Sequence, residues 1–184
     1  MCFECAAINR RKFMGLAVTG GATVSLWTVG GALSPSFAKT SVTADQALAK
    51  LKAGNEKFVS APQLCAAELT NNRSVVAKGQ SPWATILTCA DSRVSPELIF
   101  GGVGLGELFV CRNAGNVADT AVMGTIEYGA EHLGSPLVVV MGHSRCGAVQ
   151  AACDVVEKDA KLPGSIKPMV DAIVPAAKAM KGKS

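Results

Sequence analysis

Three apolar runs alternate with stretches of helical character, and this alternation constrains the fold more than any other feature of the chain. The runs cover residues 83–88, 107–112 and 137–141. Each has the length of a single buried strand, and turn residues or helical periodicity separate one run from the next. Buried strands that alternate with helices are typical of α/β proteins. We therefore predict an α/β fold with a mostly parallel central sheet flanked by helices.

Helices are predicted on both sides of these runs. A capping box formed by Thr43 and Gln46 opens a helix over 43–59, and a second helix is expected over 120–133, stopping at Gly134. A third helix is expected over 147–158, and a last amphipathic segment over about 166–180. Residues 61–80 have a mixed pattern, and the glycine-rich stretch 101–106 is expected to be a loop.

Two short polar segments begin where the first and third apolar runs end. Residues 89–93 read Cys-Ala-Asp-Ser-Arg, and residues 143–146 read His-Ser-Arg-Cys. Parallel strands bring their carboxyl ends to one edge of the sheet, so the two segments should meet there. Two thiolates and an imidazole are the ligand set of a catalytic zinc site with one open position. We predict that Cys89, His143 and Cys146 hold one Zn²⁺ per chain.

Asp91 and Arg93 have two interpretations. They could be an ordinary surface ion pair. Alternatively, the arginine fixes the carboxylate, which then accepts a hydrogen bond from solvent on the metal or takes the fourth zinc position itself. Alternation along an extended segment would put both side chains on the same side. We favour the functional interpretation, with Asp91 and Arg93 as catalytic residues and Asp91 as an additional metal ligand in a closed state.

The other cysteines and the second histidine are interpreted as structural. There are seven cysteines, an odd number at irregular spacing, which does not indicate a disulfide framework. Cys111 is expected in the core, Cys153 in helix packing, and His132 near a helix end, while Cys65 has no assigned role. Cys2 and Cys5 form a C-x-x-C pair, but no strand–helix context surrounds it.

Composition excludes two classes of protein. Hydrophobic residues make up 49% of the chain and charged residues 17%, which is typical of a globular protein rather than a disordered one. Removing residues 1–38 would take away three basic residues and one acidic residue, so the formal charge would fall from +4 to +2. A nearly neutral body without a basic cluster does not indicate nucleic-acid binding.

Residues 1–38 have the pattern of an export signal. Arg10, Arg11 and Lys12 precede a weakly apolar, glycine-rich run that ends in small residues near Ala38. The paired arginines before Phe13 and Met14 resemble a twin-arginine signal, which carries folded proteins to the bacterial periplasm. An uncleaved membrane anchor is the alternative, but the run is unusually rich in glycine. We expect a cleaved leader, no stable membrane anchor, and a mature domain over 39–184.

Three motifs resemble those of the β-class carbonic anhydrases. They are Cys-Ala-Asp-Ser-Arg-Val at 89–94, Arg-Asn-Ala-Gly-Asn at 112–116 and Gly-His-Ser-Arg-Cys-Gly at 142–147. The segment Gly-Asn-Glu-Lys-Phe at 54–58 is also similar to the helical segment that precedes them in the family. The resemblance covers about residues 41–181.

The resemblance implies an activity and an assembly. It implies that zinc-activated water attacks carbon dioxide to give bicarbonate and a proton, while Asp91, held by Arg93, orients the attacking group. It also implies a homodimer or a higher homo-oligomer with the active site at the dimer interface, where the helix near 43–59 would wrap the partner.

The chain departs from the family pattern in three places. Gly101 and Gly102 stand where the family commonly has an Asp-Gln pair whose Gln contacts substrate, so the substrate-binding residues are not assigned. Ile86 stands where some members have a tryptophan that helps to bind regulatory bicarbonate. The sequence ends at Ser184, so we expect the C-terminal strand region of the family to be missing.

Three alternatives to a carbonic anhydrase stay open at this stage. A related zinc hydrolase could act on carbonyl sulfide or carbon disulfide with the same fold. An inactive zinc-binding module and a thiol redox protein are the other two, although the mature region lacks a C-x-x-C pair.

Overall fold

The structure is a computed structural model that describes residues 39–67 and 73–182. All of these residues belong to one compact unit, Pro35–Ser184. The predicted export signal and its cleavage site near Ala38 lie outside the described residues. Within the described ranges, no helix is both long and apolar enough to cross a membrane.

The described residues form a parallel sheet of three strands. The strands are β1 (Ala84–Cys89), β2 (Leu108–Asn113) and β3 (Val138–Met141), and their spatial order is β2-β1-β3. β1 is central and pairs in parallel with both neighbours, with Ile86 opposite Val110 on one side and Val139 on the other. The predicted α/β fold with a parallel sheet flanked by helices is confirmed.

Helices precede, connect and follow the strands. Among them, α1 opens with the predicted capping box, in which Thr43 Oγ1 accepts from Gln46 N and the Gln46 side chain accepts from Thr43 N. The helices are α1 (Ala44–Ser60), α2 (Pro62–Ala67), α3 (Arg73–Val76), α4 (Pro96–Ile99), α5 (Thr120–Glu131), α6 (Gly147–Lys158), α7 (Ile166–Asp171) and α8 (Val174–Met180).

The two faces of the sheet are covered by different helices. On one face, Ala47 and Leu51 of α1 join Ala84 and Ile86 of β1 in the core. On the other face, α5 lies against β1 and β2, and Gly129 permits a close approach. A Cβ atom at this glycine would lie 2.8 Å from Thr85 Oγ1 and 2.9 Å from the Phe109 ring. The central strand β1 is therefore buried along its whole length.

The prediction that the third apolar run is a buried strand is wrong. β3 is not a buried strand, since Val138 and Val140 are 42% and 63% exposed. β3 lies at the edge of the described sheet, beyond the part that α5 covers. The amphipathic segment over about 166–180 forms two helices, α7 and α8. Pro175 lacks an amide hydrogen, and its ring conflicts with the carbonyl four residues earlier, so a continuous helix cannot pass through it.

Gly101 and Gly102 have a structural explanation that the sequence alone does not reveal. Both have positive φ angles, 92° and 81°, which glycine adopts without strain. A Cβ atom at Gly102 would lie 2.3 Å from the carbonyl oxygen of Cys65, and one at Gly101 would lie 2.7 Å from the Cα of Gly54. These glycines therefore let the loop after α4 pack closely against α1 and α2.

Candidate metal centre

Three donor side chains converge beyond the carboxyl ends of β1 and β3. Cys89 is the last residue of β1, His143 follows β3, and Cys146 is the N-cap residue of α6. One donor atom from each lies within 4.8 Å of the other two. In the described ranges, these three residues form the cluster of potential metal ligands that is close enough to hold one ion.

The geometry of the group fits zinc. Two thiolates bound to one tetrahedral zinc at about 2.3 Å would lie about 3.8 Å apart. Cys89 Sγ and Cys146 Sγ are separated by 3.9 Å and are not joined by a disulfide bond. All three side chains are largely shielded from solvent, with Cys89 5% and Cys146 7% exposed.

His143 presents an unused nitrogen to this group. Its Nδ1 lies 3.0 Å from the carbonyl oxygen of Ser144, so Nδ1 carries the proton and donates it to that oxygen. The lone pair is then on Nε2, which is buried and has no hydrogen-bond partner among the described residues. A buried nitrogen acceptor without a partner is unfavourable unless a ligand occupies it, and a fixed tautomer of this kind is typical of metal-binding histidines.

Cys89 lies in surroundings that favour its thiolate. Burial alone would raise the pKa of the thiol, but backbone N–H groups of Gly115 and Asp91 donate to the sulfur and lower it. The neighbouring Cys146 side chain adds to this effect, and the pKa falls from 9.0 to about 7. The Gly115 N–H lies 3.4 Å from Cys89 Sγ. The sulfur is thus prepared for metal binding near neutral pH, since metals bind the thiolate form.

Asp91 and Arg93 form a bidentate pair beside the three donors. Arg93 Nε donates to Asp91 Oδ1 at 2.8 Å, and Nη2 donates to Oδ2 at 2.7 Å. This pair holds the pKa of the Asp91 carboxyl well below its usual range. Asp91 Oδ2 lies 3.9 Å from His143 Nε2, close to the metal position. The structure shows Asp91 paired with Arg93, and ligation of the metal by Asp91 stays a prediction.

The predicted extended backbone around this pair is wrong. Residues 92 and 93 form a turn, in which Arg93 N donates to Asp91 Oδ1 and Val94 N donates to the Asp91 carbonyl. The turn folds Arg93 back onto Asp91, so the two side chains meet for a reason other than strand alternation. Arg93 Nη2 also donates to the carbonyl of Arg145 at 3.3 Å and so links the two loops.

The end of β2 contributes contacts that sequence reasoning missed. Arg112 Nε donates to the Cys89 carbonyl at 2.9 Å, and Nη2 donates to the Asp91 carbonyl at 2.7 Å. Asn113 exchanges two hydrogen bonds of 2.7 Å with the backbone of Val117, which holds the loop that carries Gly115. The sequence signal that could have revealed these contacts is the position of Arg112 and Asn113 at the end of the second apolar run. Because β2 is parallel to β1, its carboxyl end reaches the same edge of the sheet as Cys89.

The other cysteines and the other histidine of the described ranges lie outside this group, and the C-x-x-C pair of Cys2 and Cys5 lies outside the described residues. Cys65 in α2 and Cys111 in β2 are buried, and burial raises the pKa of the Cys111 thiol. Cys153 in α6 is half-buried. His132 is the C-cap residue of α5, and its ring packs against the Tyr128 ring at a tilt of 36°, with centroids 4.9 Å apart. The core position predicted for Cys111 is confirmed.

Comparison with known families agrees with the fold and with the composition of the site. The family model described as carbonic anhydrase matches residues 84–184, which include both polar segments. The chain therefore belongs to the carbonic anhydrase family, and the solved structures that it resembles assign it to the β class.

Curated relatives match the chain over about two thirds of its length. Carbonic anhydrase 2 of Mycobacterium tuberculosis is 46% identical over 127 residues, which cover 68% of this chain and 60% of the relative. The carbonic anhydrase of Mycolicibacterium smegmatis is 39% identical over 126 residues, covering 68% and 61%. The chain thus spans about three fifths of the length of these relatives.

Solved structures show the same fold. The β-carbonic anhydrase of Coccomyxa, solved in complex with acetazolamide, aligns with a TM-score of 0.55 and 32% identity, covering 74% of this chain and 60% of that one. A tetrameric β-carbonic anhydrase from Sordaria macrospora aligns with a TM-score of 0.53 and 26% identity, covering 74% and 64%.

Proposed function

We propose that this chain catalyses the reversible hydration of carbon dioxide to bicarbonate and a proton, with one zinc ion per chain. The observation that carries the proposal is the convergence of Cys89, His143 and Cys146 donor atoms within 4.8 Å, beside a carboxylate held by an arginine. Membership of the carbonic anhydrase family supports the same reaction.

The three donors would hold the zinc ion, and other residues hold the donors. The backbone N–H of Gly115 supports the thiolate of Cys89, and the Ser144 carbonyl keeps the proton of His143 on Nδ1. When bound, Zn²⁺ supplies a Lewis acid that lets water lose a proton near neutral pH. Three protein ligands leave the fourth position of a tetrahedral ion open for this chemistry.

Asp91 would orient the attacking oxygen. Because its pKa is held low by Arg93, the carboxylate stays ionised at neutral pH and acts as a hydrogen-bond acceptor. Arg93 occupies both carboxylate oxygens, which restricts the carboxylate to one orientation. A fixed acceptor next to the metal selects the orientation of a solvent hydroxyl and leaves its lone pair directed at carbon dioxide.

Stopped-flow hydration of carbon dioxide by the zinc-loaded chain tests the proposal. We expect saturable activity that Asp91→Asn lowers about a hundredfold or more, because the amide lacks the charge and donates where a carboxylate accepts. The Asp91→Asn variant should keep its zinc content, since the three donors are intact. Asp154→Asn is the matched control, because Asp154 is also paired with a cation, Lys158, but on the surface of α6.

The two possible failures of this experiment have different meanings. A zinc-loaded wild-type chain that does not hydrate carbon dioxide would refute the proposed function. Activity that persists unchanged in Asp91→Asn would refute only the role assigned to Asp91.

The proposal extends to assembly. We infer that the chain acts as a homodimer or higher homo-oligomer, with carbon dioxide and bicarbonate as its small-molecule partners. The tetrameric assembly of the Sordaria macrospora relative supports self-association. The exposed apolar residues Val138 and Val140 at the sheet edge also support it.

We further propose that the protein acts in the bacterial periplasm. The support is the sequence of residues 1–38, with paired arginines ahead of an apolar, glycine-rich run. Export of a folded chain would let the thiols bind metal in the reducing cytoplasm first, and metal-bound thiolates resist oxidation afterwards.

A further inference from the structure

Arg112 makes two charge-assisted hydrogen bonds to the backbone that joins Cys89 to Asp91. Its Nε reaches the Cys89 carbonyl at 2.9 Å, and its Nη2 reaches the Asp91 carbonyl at 2.7 Å. The two carbonyls flank Ala90, whose N–H donates to the Asn113 carbonyl at 2.9 Å. Three backbone polar groups of the Cys89–Asp91 segment are therefore bound to the last two residues of β2.

The arrangement requires the shape of an arginine side chain. A guanidinium offers several N–H donors in a rigid plane, so one group can bind two carbonyls at a fixed separation. A lysine ammonium is a compact donor on a flexible stem and would favour one carbonyl at a time. Within the described ranges, Arg112 forms no ion pair with a carboxylate, and its guanidinium donates to the two carbonyls instead.

The Cys89–Asp91 segment carries two side chains, one on each side of Ala90 in the sequence, that must both face the metal position. The Cys89 thiolate points toward Cys146, and the Asp91 carboxylate lies 3.9 Å from His143 Nε2. A rotation of the backbone at Ala90 would move one of these groups relative to the other. Groups that orient metal ligands from behind affect metal affinity although they do not touch the metal.

We propose that Arg112 is a positioning residue, which fixes the backbone of the Cys89–Asp91 segment so that thiolate and carboxylate face the same metal position. The inference rests on the proposed function for its catalytic consequence. Its structural consequence, the mutual orientation of Cys89 and Asp91, can be measured without carbon dioxide.

Cobalt titration of the metal-free chain tests the proposal. Co²⁺ reports thiolate ligation through its charge-transfer absorption, and a competing chelator gives the dissociation constant. We expect Arg112→Met to raise this constant about tenfold to a hundredfold, with a shifted ligand-field spectrum. Arg112→Lys should show an intermediate increase. Arg73→Met is the matched control, because it removes the same charge from an exposed position on α3 and should leave the constant unchanged.

If Arg112 only stabilised the fold, the result would differ. Arg112→Met would then unfold at a lower temperature, but the folded variant would keep the wild-type cobalt affinity and spectrum. That result would overturn the proposal. If Arg112→Met does not fold, Arg112→Lys decides by the same criterion, since it keeps the charge and most of the stem.

Failure of the proposed function can be recognised separately. A wild-type chain that binds Co²⁺ but does not hydrate carbon dioxide refutes the function and leaves the effect of Arg112 on affinity measurable. If the wild-type chain binds no Co²⁺, amide exchange over residues 89–93 decides. Faster exchange in Arg112→Lys supports a Cys89–Asp91 segment fixed by Arg112, and unchanged exchange overturns the proposal.

Discussion

At the scale of single residues, Cys89 and Cys111 show that local hydrogen bonding can determine the state of a buried thiol. Both lie at the sheet and are almost equally shielded, 5% and 6% exposed. Burial raises the pKa of Cys111, whereas the backbone N–H groups around Cys89 more than offset burial and bring its pKa to about 7. The two thiols therefore differ much more in pKa than in solvent exposure.

This difference predicts selective alkylation in the metal-free protein. At pH 7.5 a large fraction of Cys89 is thiolate, so iodoacetamide should modify it well before Cys111. The rate at Cys89 should fall as the pH drops through about 7. The rate at Cys111 should keep rising above pH 9, because its pKa is raised. Peptide mapping by mass spectrometry measures both rates in one sample.

Zinc provides the control for this experiment. Added Zn²⁺ should protect Cys89 and leave the slow rate at Cys111 unchanged. Equal rates at the two sulfurs, or a Cys89 rate without a step near pH 7, would contradict the assigned environment.

The sequence predicts the parts of the site that depend on residue type and strand ends, but not those that depend on strand alignment and backbone angles. Donor types and strand ends are visible in the sequence, so the meeting of Cys89 with His143 and Cys146 could be expected. The contact of Arg112 with two carbonyls could not, because it depends on how β2 is aligned with β1 and on the turn after Cys89. The bond from Gly115 N–H likewise depends on a positive φ angle of 80°.

At the scale of elements, the crossing of α1 over the loop after α4 depends on glycine. Gly54 is inside α1, and a Cβ atom there would lie 1.9 Å from the carbonyl oxygen of Phe100. Backbone atoms cannot move aside as a flexible side chain can. Helical periodicity predicted α1 correctly, but it could not reveal this contact, because the two segments are distant in sequence.

Two glycine substitutions in helix interiors test this interpretation. Gly54→Ala should lower the free energy of unfolding by about 1–3 kcal/mol, since the clash outweighs the better helix propensity of alanine. Gly124→Ala in α5 is the matched control. A Cβ atom there meets nothing within 4 Å, so the change should stabilise the protein by about 1 kcal/mol. Urea denaturation measures both, and destabilisation of equal size in the two variants would refute the packing argument.

At the scale of the whole molecule, the edge strand β3 of the described sheet has an exposed apolar face. β3 pairs with β1 on one side, and Val138 and Val140 are exposed on the face that α5 covers elsewhere. The alternation of strands and helices predicted the parallel sheet but not this exposure. Edge position is a property of strand order, and a short apolar run has the same pattern at an edge as at the centre.

An exposed apolar strand at a sheet edge favours association with another chain, so we expect a second copy of this protein to cover β3. Val140→Lys should shift the assembly toward smaller species, because a charged side chain cannot be buried at such a contact without a partner. The unfolding free energy of the single chain should change by less than about 0.5 kcal/mol, since Val140 is 63% exposed. Val75→Lys, on α3 and 75% exposed, is the matched control and should sediment as the wild type does. Sedimentation velocity over a range of concentrations distinguishes the variants, and a Val140→Lys protein with the wild-type distribution would show that β3 takes no part in assembly.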